Sequence, residues 1–542
     1  MGTELAHETT GDAPLSAMNA ATAYPLIAAL QNAALYDHPI RAFSLVETHI
    51  SWVLLTGCYA YKIKKPVAFQ FADFSTLERR RFYCEEELRL NRRFAPELYI
   101  EVVPITGSIQ RPSVAGKGEP IEYAVKMREF PQHALLSHVA AQGKLTAGHV
   151  DALAAALAAS HAQLPPAAPA APFGQPDQVH HWSQQNFAHM EAWLKQSTDL
   201  RTLAALRVWV EEEFARRRHQ FQSRKDQGFI RECHGDLHLG NLVLLDGRIV
   251  AFDCIEFNDQ LRWIDVMSEL AFTVMDLRDR GYPSLACRFL NRYLERSGDY
   301  AGLGVLRYYL VYRALVRAKV ALLRLVEQAG LVPQAASNWH EYQSYLKLAL
   351  SFSQERRRGL VITHGVSGSG KSTVAAALVE SLGAILIRSD VERKRLYGLR
   401  ANARTHAGLG RSIYSPQATR VTYERLSVLA ASALDFDLPV IIDATFLRRS
   451  ERDRLRQLAI GLRVPFVILD CKAPEMLLRE RVAHRAQAGE TVSEAGTEVL
   501  TVQLQTQQPL EEDELRQSIS LDASRMPAAD DLAHAVDERL RV

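Results

Sequence analysis

The chain has 542 residues, 47% of them hydrophobic and 23% charged, with a formal net charge of +2. That length suits about three structural units of ordinary globular composition, and the near-neutral charge excludes a global field drawing it to nucleic acid or membrane. No apolar run reaches the ~18 residues that span a bilayer, and the six cysteines form no CxxC pair, so free thiols in a reducing, cytoplasmic setting are expected.

Residues 1–22 lack the basic start and apolar core of a secretory signal and read as a mobile tail. Residues 43–71 are β-rich, with SWVLLTG and YAYKIKKPV as strand-like runs split by Gly57. Residues 77–94 follow as a charged helix carrying three consecutive glutamates, Glu85, Glu86 and Glu87. TGSIQR and IEYAVKMREF flank a Gly/Lys turn and predict a hairpin. Helical spacing begins near 133, breaks at the Pro/Ala stretch LPPAAPAAPFGQP, which predicts a surface loop, and resumes over 186–220.

Residues 233–241 read CHGDLHLGN, and a hairpin turning at Asp246-Gly247 returns the chain to Asp253. Phosphoryl transfer needs an acid near the acceptor hydroxyl and oxygen donors for metal on the phosphates. Asp236, Asn241 and Asp253 supply that set, while His234 and His238 read as braces and Gly235 permits a tight turn. The segment resembles the H-G-D-x-H-x-x-N catalytic loop of the aminoglycoside phosphotransferase family, over roughly 25–350. The resemblance implies a bilobal α+β, protein-kinase-like domain over 23–355 that uses ATP and Mg²⁺. It makes Asp236 the catalytic base, Asn241 and Asp253 the metal ligands and Asp265 a structural aspartate. It also implies a strand lysine on the ATP phosphates: Lys62 in the A-x-K stretch, with Lys64 as the fallback, paired to one of Glu85, Glu86 or Glu87. Residues 126–130 would be the hinge that receives adenine. A catalytically inactive relative is the competing reading.

The helix around 307–325 places Arg313, Arg317 and Arg324 within about 40° of each other, beside Tyr309. Three readings follow: an anionic acceptor, contact with the downstream domain, or a solvated stripe. A domain boundary falls at the ERRR cluster, 355–358.

From 359 to 542 strands and helices alternate, which predicts an α/β domain with a parallel sheet. GVSGSGKS, residues 365–372, fits G-x-x-x-x-G-K-[ST] between an apolar strand and a helix. The backbone of Gly365, Val366, Ser367, Gly368, Ser369, Gly370 and Thr373 would cradle phosphate, with Lys371 on the β/γ-phosphates and Ser372 on Mg²⁺. Asp390 and Arg393 fall on one helical face, as an acceptor base and an acceptor or phosphate clamp, or else as an N-cap and a solvated arginine. Asp443 ends a strand where a second metal carboxylate would sit. Arg479, Arg481 and Arg485 form either a phosphate-closing lid or a charged helix face. This half resembles the small P-loop kinases related to polynucleotide, gluconate and shikimate kinases, and Asp390/Arg393 matches the D-x-x-R of the polynucleotide kinase branch. The resemblance implies phosphoryl transfer to a hydroxyl, of a small molecule or of a polynucleotide end. Alternatives are a nucleotide-sensing switch acting on the first domain, or one half serving as a scaffold.

Overall fold

The structure, a computed structural model, describes residues 25–541 apart from 70–71, 195–196, 328–331, 355–357, 402, 404–411, 489–495, 524 and 526. The expected tail, 1–22, and most of the ERRR boundary lie outside the described residues. The chain divides into one unit of Met1–Leu145 with Glu232–Ile264, and a second of Thr146–Arg231 with Asp265–Val542. The division therefore runs through the kinase-like segment.

The first unit is built on an antiparallel sheet. Its strands are β1 (Ser44–Glu47), β2 (Ser51–Leu55), β3 (Tyr59–Lys64), β4 (Tyr99–Gly107), β5 (Pro112–Val114) and β6 (Pro120–Arg128). They lie in the order β1-β2-β3-β6-β4-β5. The period of two along β3 sends Tyr61 and Ile63 into a core with Trp52, Leu54 and Val103, and sends Lys62 and Lys64 to the opposite face. Helix α1 (Leu77–Asn91) starts at the side-chain cap of Thr76 and buries Arg80, Cys84, Glu87, Leu90 and Asn91. Cys84 packs with Val125, the cross-strand neighbour of Lys62, so this helix belongs to the lysine face. The expected hairpin differs in detail. Its first strand reaches back to Tyr99, and β5 intervenes before the return strand. After 232 come β7 (Leu242–Leu245) and β8 (Arg248–Ala251). They are joined through Asp246 and Gly247, both at positive φ (48° and 75°), the backbone that a type I′ turn requires.

The second unit combines helices with a parallel sheet. The helices that concern the site are α2 (Ala147–Gln163), α3 (Pro176–Trp193), α4 (Ser197–Asp226), α5 (Val266–Asp279), α6 (Pro283–Ser297), α7 (Leu303–Glu327) and α8 (Val332–Ser353). Asp265 caps α5 through the Met267 N–H and, with Asp299, clamps the buried Arg224 guanidinium. The sheet begins with β9 (Leu360–His364), followed by α9 (Lys371–Leu382), β10 (Ile385–Arg388) and α10 (Ser389–Leu396). Then come α11 (Pro416–Asp435), β11 (Val440–Asp443), α12 (Arg449–Leu462), β12 (Phe466–Lys472), α13 (Glu475–Ala488), β13 (Ser518–Asp522) and α14 (Ala529–Arg539). The strand order is β10-β11-β9-β12-β13, and every pairing is parallel. All five residues of β9 and all four of β11 are buried, as near-continuous apolar strands under helices on both faces must be. The fold class read from sequence, a protein-kinase-like α+β domain followed by an α/β P-loop domain, describes the molecule.

Candidate active sites

The first unit gathers its polar groups on the lysine face. Lys62 Nζ donates to Glu87 Oε1 at 2.7 Å and to Asp253 Oδ1 at 2.5 Å. The other oxygen of Glu87 accepts from Lys64 Nζ at 2.8 Å, and Lys64 also meets Glu256. Of the three candidate glutamates, then, Glu87 is the lysine partner. Glu85 pairs with Arg81 on the outer side of α1, and the partly buried Glu86 pairs with Arg89 and lies 3.6 Å from Arg262. Burial pulls the Lys62 ammonium down, but Asp253, Glu87 and Glu256 outweigh it and hold its pKa well above the ordinary value. Burial likewise works against a charged Glu87, and the two lysines overcome it, leaving its pKa below the usual carboxylate range.

One turn beyond Glu87, Asn91 ties the metal-aspartate segment to α1. Its Oδ1 accepts from the Cys254 N–H at 2.9 Å, while its Nδ2 donates to the Glu87 carbonyl. Asp253 sits at φ 63°, and its N–H donates to the Tyr99 hydroxyl at 3.0 Å. The backbone on both sides of this peptide is therefore held, which leaves the carboxylate, 45% exposed, facing outward.

In the CHGDLHLGN loop, Asn241 Nδ2 donates to both the carbonyl and Oδ2 of Asp236, each at 3.0 Å. This orients the aspartate and leaves the Asn241 amide oxygen as a donor for metal. His234 Nε2 lies 2.8 Å from the Phe252 carbonyl, and His238 Nδ1 accepts from the Gly240 N–H at 3.0 Å. Both rings thus bind backbone. At Gly235, φ is 89°, and an added Cβ would stand 2.8 Å from the Leu261 carbonyl oxygen. In residues 126–130, the Glu129 carboxylate accepts from the N–H groups of Thr56 and Gly57 at 2.9 and 2.7 Å, pinning the β2–β3 turn. The 45% exposed Asp253 carboxylate and the Asn241 amide oxygen offer hard oxygen donors beside this network. Oxygen donors of this kind fit Mg²⁺.

The second site is a cavity of about 940 Å³ above the C-terminal ends of the parallel strands, lined by Lys371, Asp390, Arg393, Asp443, Arg388 and Arg481 among others. Ligand sites of open α/β sheets lie at this end. The phosphate loop joins β9 to α9. An added Cβ at Gly365 (φ 135°) would stand 2.4 Å from the Cys471 carbonyl oxygen, so no side chain fits there. Lys371 Nζ donates to the Val366 carbonyl at 2.7 Å, across the loop it closes. Ser367 N–H donates to Gln503 Oε1 at 2.8 Å. Ser372 and Thr373, at the start of α9, are exposed on the cavity, and the buried Asp443 ends β11 beside it. Hydroxyl and carboxylate oxygens at this place also suit Mg²⁺.

Asp390 lies in the first turn of α10 and lines the cavity with Arg393. Arg393 is buried. Its guanidinium donates to the Ile413 carbonyl and Thr419 Oγ1 and lies over the Tyr414 ring, while its Nε has no partner. Arg481 donates to the Ala523 carbonyl at 3.0 Å at the cavity wall. Arg479, expected with it in a lid, instead pairs with Glu475 one turn back, outside the cavity lining. The Arg485 side chain lies outside the described residues. Two arginines of the lining, Arg388 and Arg448, were not expected. Arg388 stands two residues before Asp390 at a strand end, the position that could have marked it.

The expected basic stripe is corrected. Arg313 is buried, within reach of Ser268 and over the Phe272 ring, while Arg317 and Arg324 share Glu341 of α8 at 3.1 and 3.2 Å. One carboxylate serves two of the three guanidiniums and none of the three is fully exposed, so the stripe is not a freely solvated face. The arginine of α7 that meets the P-loop half is Arg307, which pairs with Asp437.

Residues 78–309 match the family model for the phosphotransferase enzyme family, and residues 360–510 match that for an AAA domain. Uncharacterized proteins of Mycobacterium tuberculosis and Mycobacterium bovis are 30% identical over 452 residues, 83% of this chain and 88% of theirs. Among solved structures, a gluconokinase from Sinorhizobium meliloti 1021 is 26% identical (TM-score 0.24), covering 34% of this chain and 91% of its own. A thermostable mutant of aminoglycoside phosphotransferase APH(4)-Ia is 14% identical (TM-score 0.36), covering 58% of this chain and 94% of its own. The APS kinase of Mycobacterium tuberculosis is 23% identical (TM-score 0.25), covering 34% of this chain and 99% of its own.

Proposed function

The chain belongs to the same family as these mycobacterial proteins and is a phosphotransferase, and on that premise we propose that it carries two separate ATP- and Mg²⁺-dependent sites. Each transfers a γ-phosphoryl group to a hydroxyl. The observation that supports two sites is that each unit assembles a full chemical set. That set is a buried lysine for phosphate, oxygen donors for a metal, and a further aspartate for the acceptor proton.

At the first site Lys62, held by Glu87, binds phosphate oxygens, and Asp236, aimed by Asn241, takes the acceptor hydroxyl proton. At the second, Lys371 and the 365–373 backbone bind phosphate, Asp390 takes the proton and Arg393 holds the acceptor. Mg²⁺, held by Asn241 and Asp253 in one site and by Ser372 and Asp443 in the other, neutralises phosphate charge when bound. The acceptor of the second site is a small molecule or a polynucleotide end. Arg388, Arg393, Arg448 and Arg481 around the cavity favour an anionic one. Cys58, Cys84, Cys233, Cys254, Cys287 and Cys471 form no disulfide, which supports a cytoplasmic setting.

The test is a metabolite pool incubated with γ-labelled ATP and read by mass spectrometry for new phosphate esters. Asp236→Ala should remove one product by roughly 10²–10⁴-fold, the usual worth of a general base. Lys371→Ala should remove a different product or step. If Lys371→Ala only modulates a single Asp236-dependent activity, the P-loop half is a switch. If Asp236→Ala leaves every product intact, the first site is a scaffold.

A further inference from the structure

Strand β10 ends at Arg388 and delivers Asp390 to the P-loop cavity. Its backbone is held by a helix from the kinase-like half. Asn291 of α6 donates to the Ala384 carbonyl at 2.9 Å and accepts from the Leu386 N–H at 2.7 Å, as a neighbouring strand would. The Tyr300 hydroxyl adds a 3.4 Å bond to the Leu386 carbonyl. Four residues along α6 from Asn291 is Glu295. An i to i+4 step rises ~6 Å along a helix and two residues rise ~6.6 Å along a strand, so Asn291 meets Leu386 and Glu295 meets Arg388. The distances agree: Arg388 donates to Glu295 Oε1 at 2.9 Å.

The other side of the Arg388 guanidinium faces Asp443. Strand register places the two side by side, with Nε 3.6 Å from Oδ2, close enough to attract but too long for a hydrogen bond. Asp443 is 7% exposed and Glu295 15%, so neither attraction is lost to solvent. Arg292 donates to the second Glu295 oxygen at 2.9 Å and fixes that carboxylate in turn.

We propose that Glu295 is a positioning residue of the P-loop site: it holds Arg388 back from Asp443 and so keeps the Asp443 carboxylate available to a divalent cation. This rests on reading Asp443 as the metal carboxylate of a phosphoryl-transfer site. Removing the Glu295 charge leaves Asp443 as a nearby anion for Arg388. A guanidinium that closes the remaining gap takes the oxygens a cation needs. The kinase-like half then tunes the metal demand of the P-loop half through one side chain.

The experiment uses the full chain and Mg²⁺ titrations of the binding of a non-hydrolysable ATP analogue, followed by calorimetry. The heat lost in Lys371→Ala is assigned to this site, and thermal melts confirm folding. Glu295→Gln is expected to raise the Mg²⁺ concentration for half-maximal binding roughly fivefold, the scale of one partly exposed ion pair. Glu295→Asp should restore part of the loss, and Glu295→Gln with Arg388→Gln should return the requirement toward wild type. Arg388→Gln alone should not raise it. Superimposable titrations for Glu295→Gln and wild type overturn the proposal, as does an equal shift in the single and double variants or a rise with Arg388→Gln alone. If the wild type shows no Lys371-dependent binding at all, the phosphoryl-transfer reading of this site fails, and the proposal with it.

Discussion

Replacing Glu87 by Gln isolates one link of the lysine network. Glu87 is fully buried, and each of its oxygens holds one lysine, at 2.7 and 2.8 Å. Glutamine keeps one acceptor and turns the other position into an NH₂ group facing an ammonium. Breaking a buried ion pair by removing one partner costs ~3–5 kcal/mol, because the remaining charge stays buried. For a unit of this size, at roughly 2–4 °C per kcal/mol, that lowers the melting temperature on the order of 10 °C. Glu85→Gln removes only an exposed pair with Arg81, worth about 0.2–1 kcal/mol, while Glu86→Gln removes the Arg89 pair and a 3.6 Å contact with the buried Arg262, so its cost should fall between those of Glu85→Gln and Glu87→Gln. The assay is thermal unfolding of the three variants, with hydrogen exchange over residues 44–128 to read this unit alone. The effect also has a pH signature. The folded-state pKa of Glu87 lies below its unfolded value, so its stabilisation is present above the usual carboxylate range and fades as the pH falls below it. The gap between wild type and Glu87→Gln should narrow in acid. Equal melting shifts for all three variants would refute the assignment of Glu87 as the lysine partner.

Two further outcomes are expected. Gly365→Ala forces a side chain against the Cys471 carbonyl at a positive φ. It should abolish Lys371-dependent nucleotide binding while leaving Asp236-dependent product formation intact, and wild-type binding by this variant would count against the loop geometry. Burial pulls the Lys319 ammonium in α7 down to about 8 from an ordinary 10.5. Below about 8 both folded and unfolded chains carry the proton and the full cost of burying it applies; that cost shrinks between 8 and 10.5 and is absent above. Lys319→Met should therefore stabilise the protein by about 1–3 kcal/mol at neutral pH, with the gain vanishing in denaturant melts near pH 10.5. A gain that does not change with pH would contradict this.

What the sequence determined by itself is what contiguous residues determine. CHGDLHLGN, GVSGSGKS and the Asp246-Gly247 turn are short, and their glycines and hydrogen-bonding side chains act within a few residues. Gly235, Gly247 and Gly365 all adopt the positive φ that such loops need. The alternation of apolar strands with helices after 359 likewise marks a parallel sheet. Other features depend on how helices are turned and which surfaces they meet, and these came from packing. The helix LERRRFYCEEELRLN has too few apolar residues to show which side packs, so nothing local separates Glu87 from Glu85 and Glu86. Packing of Cys84 and Leu90 settles it. On α7 the spacing of Arg313, Arg317 and Arg324 was legible, but the carboxylate that two of them share, Glu341, comes from another helix. The pairing of Glu295 with Arg388 spans 93 residues and arises because α6 lies along β10. Charges read along a chain give a face its sign. Their effect is set by the partners that folding brings to them.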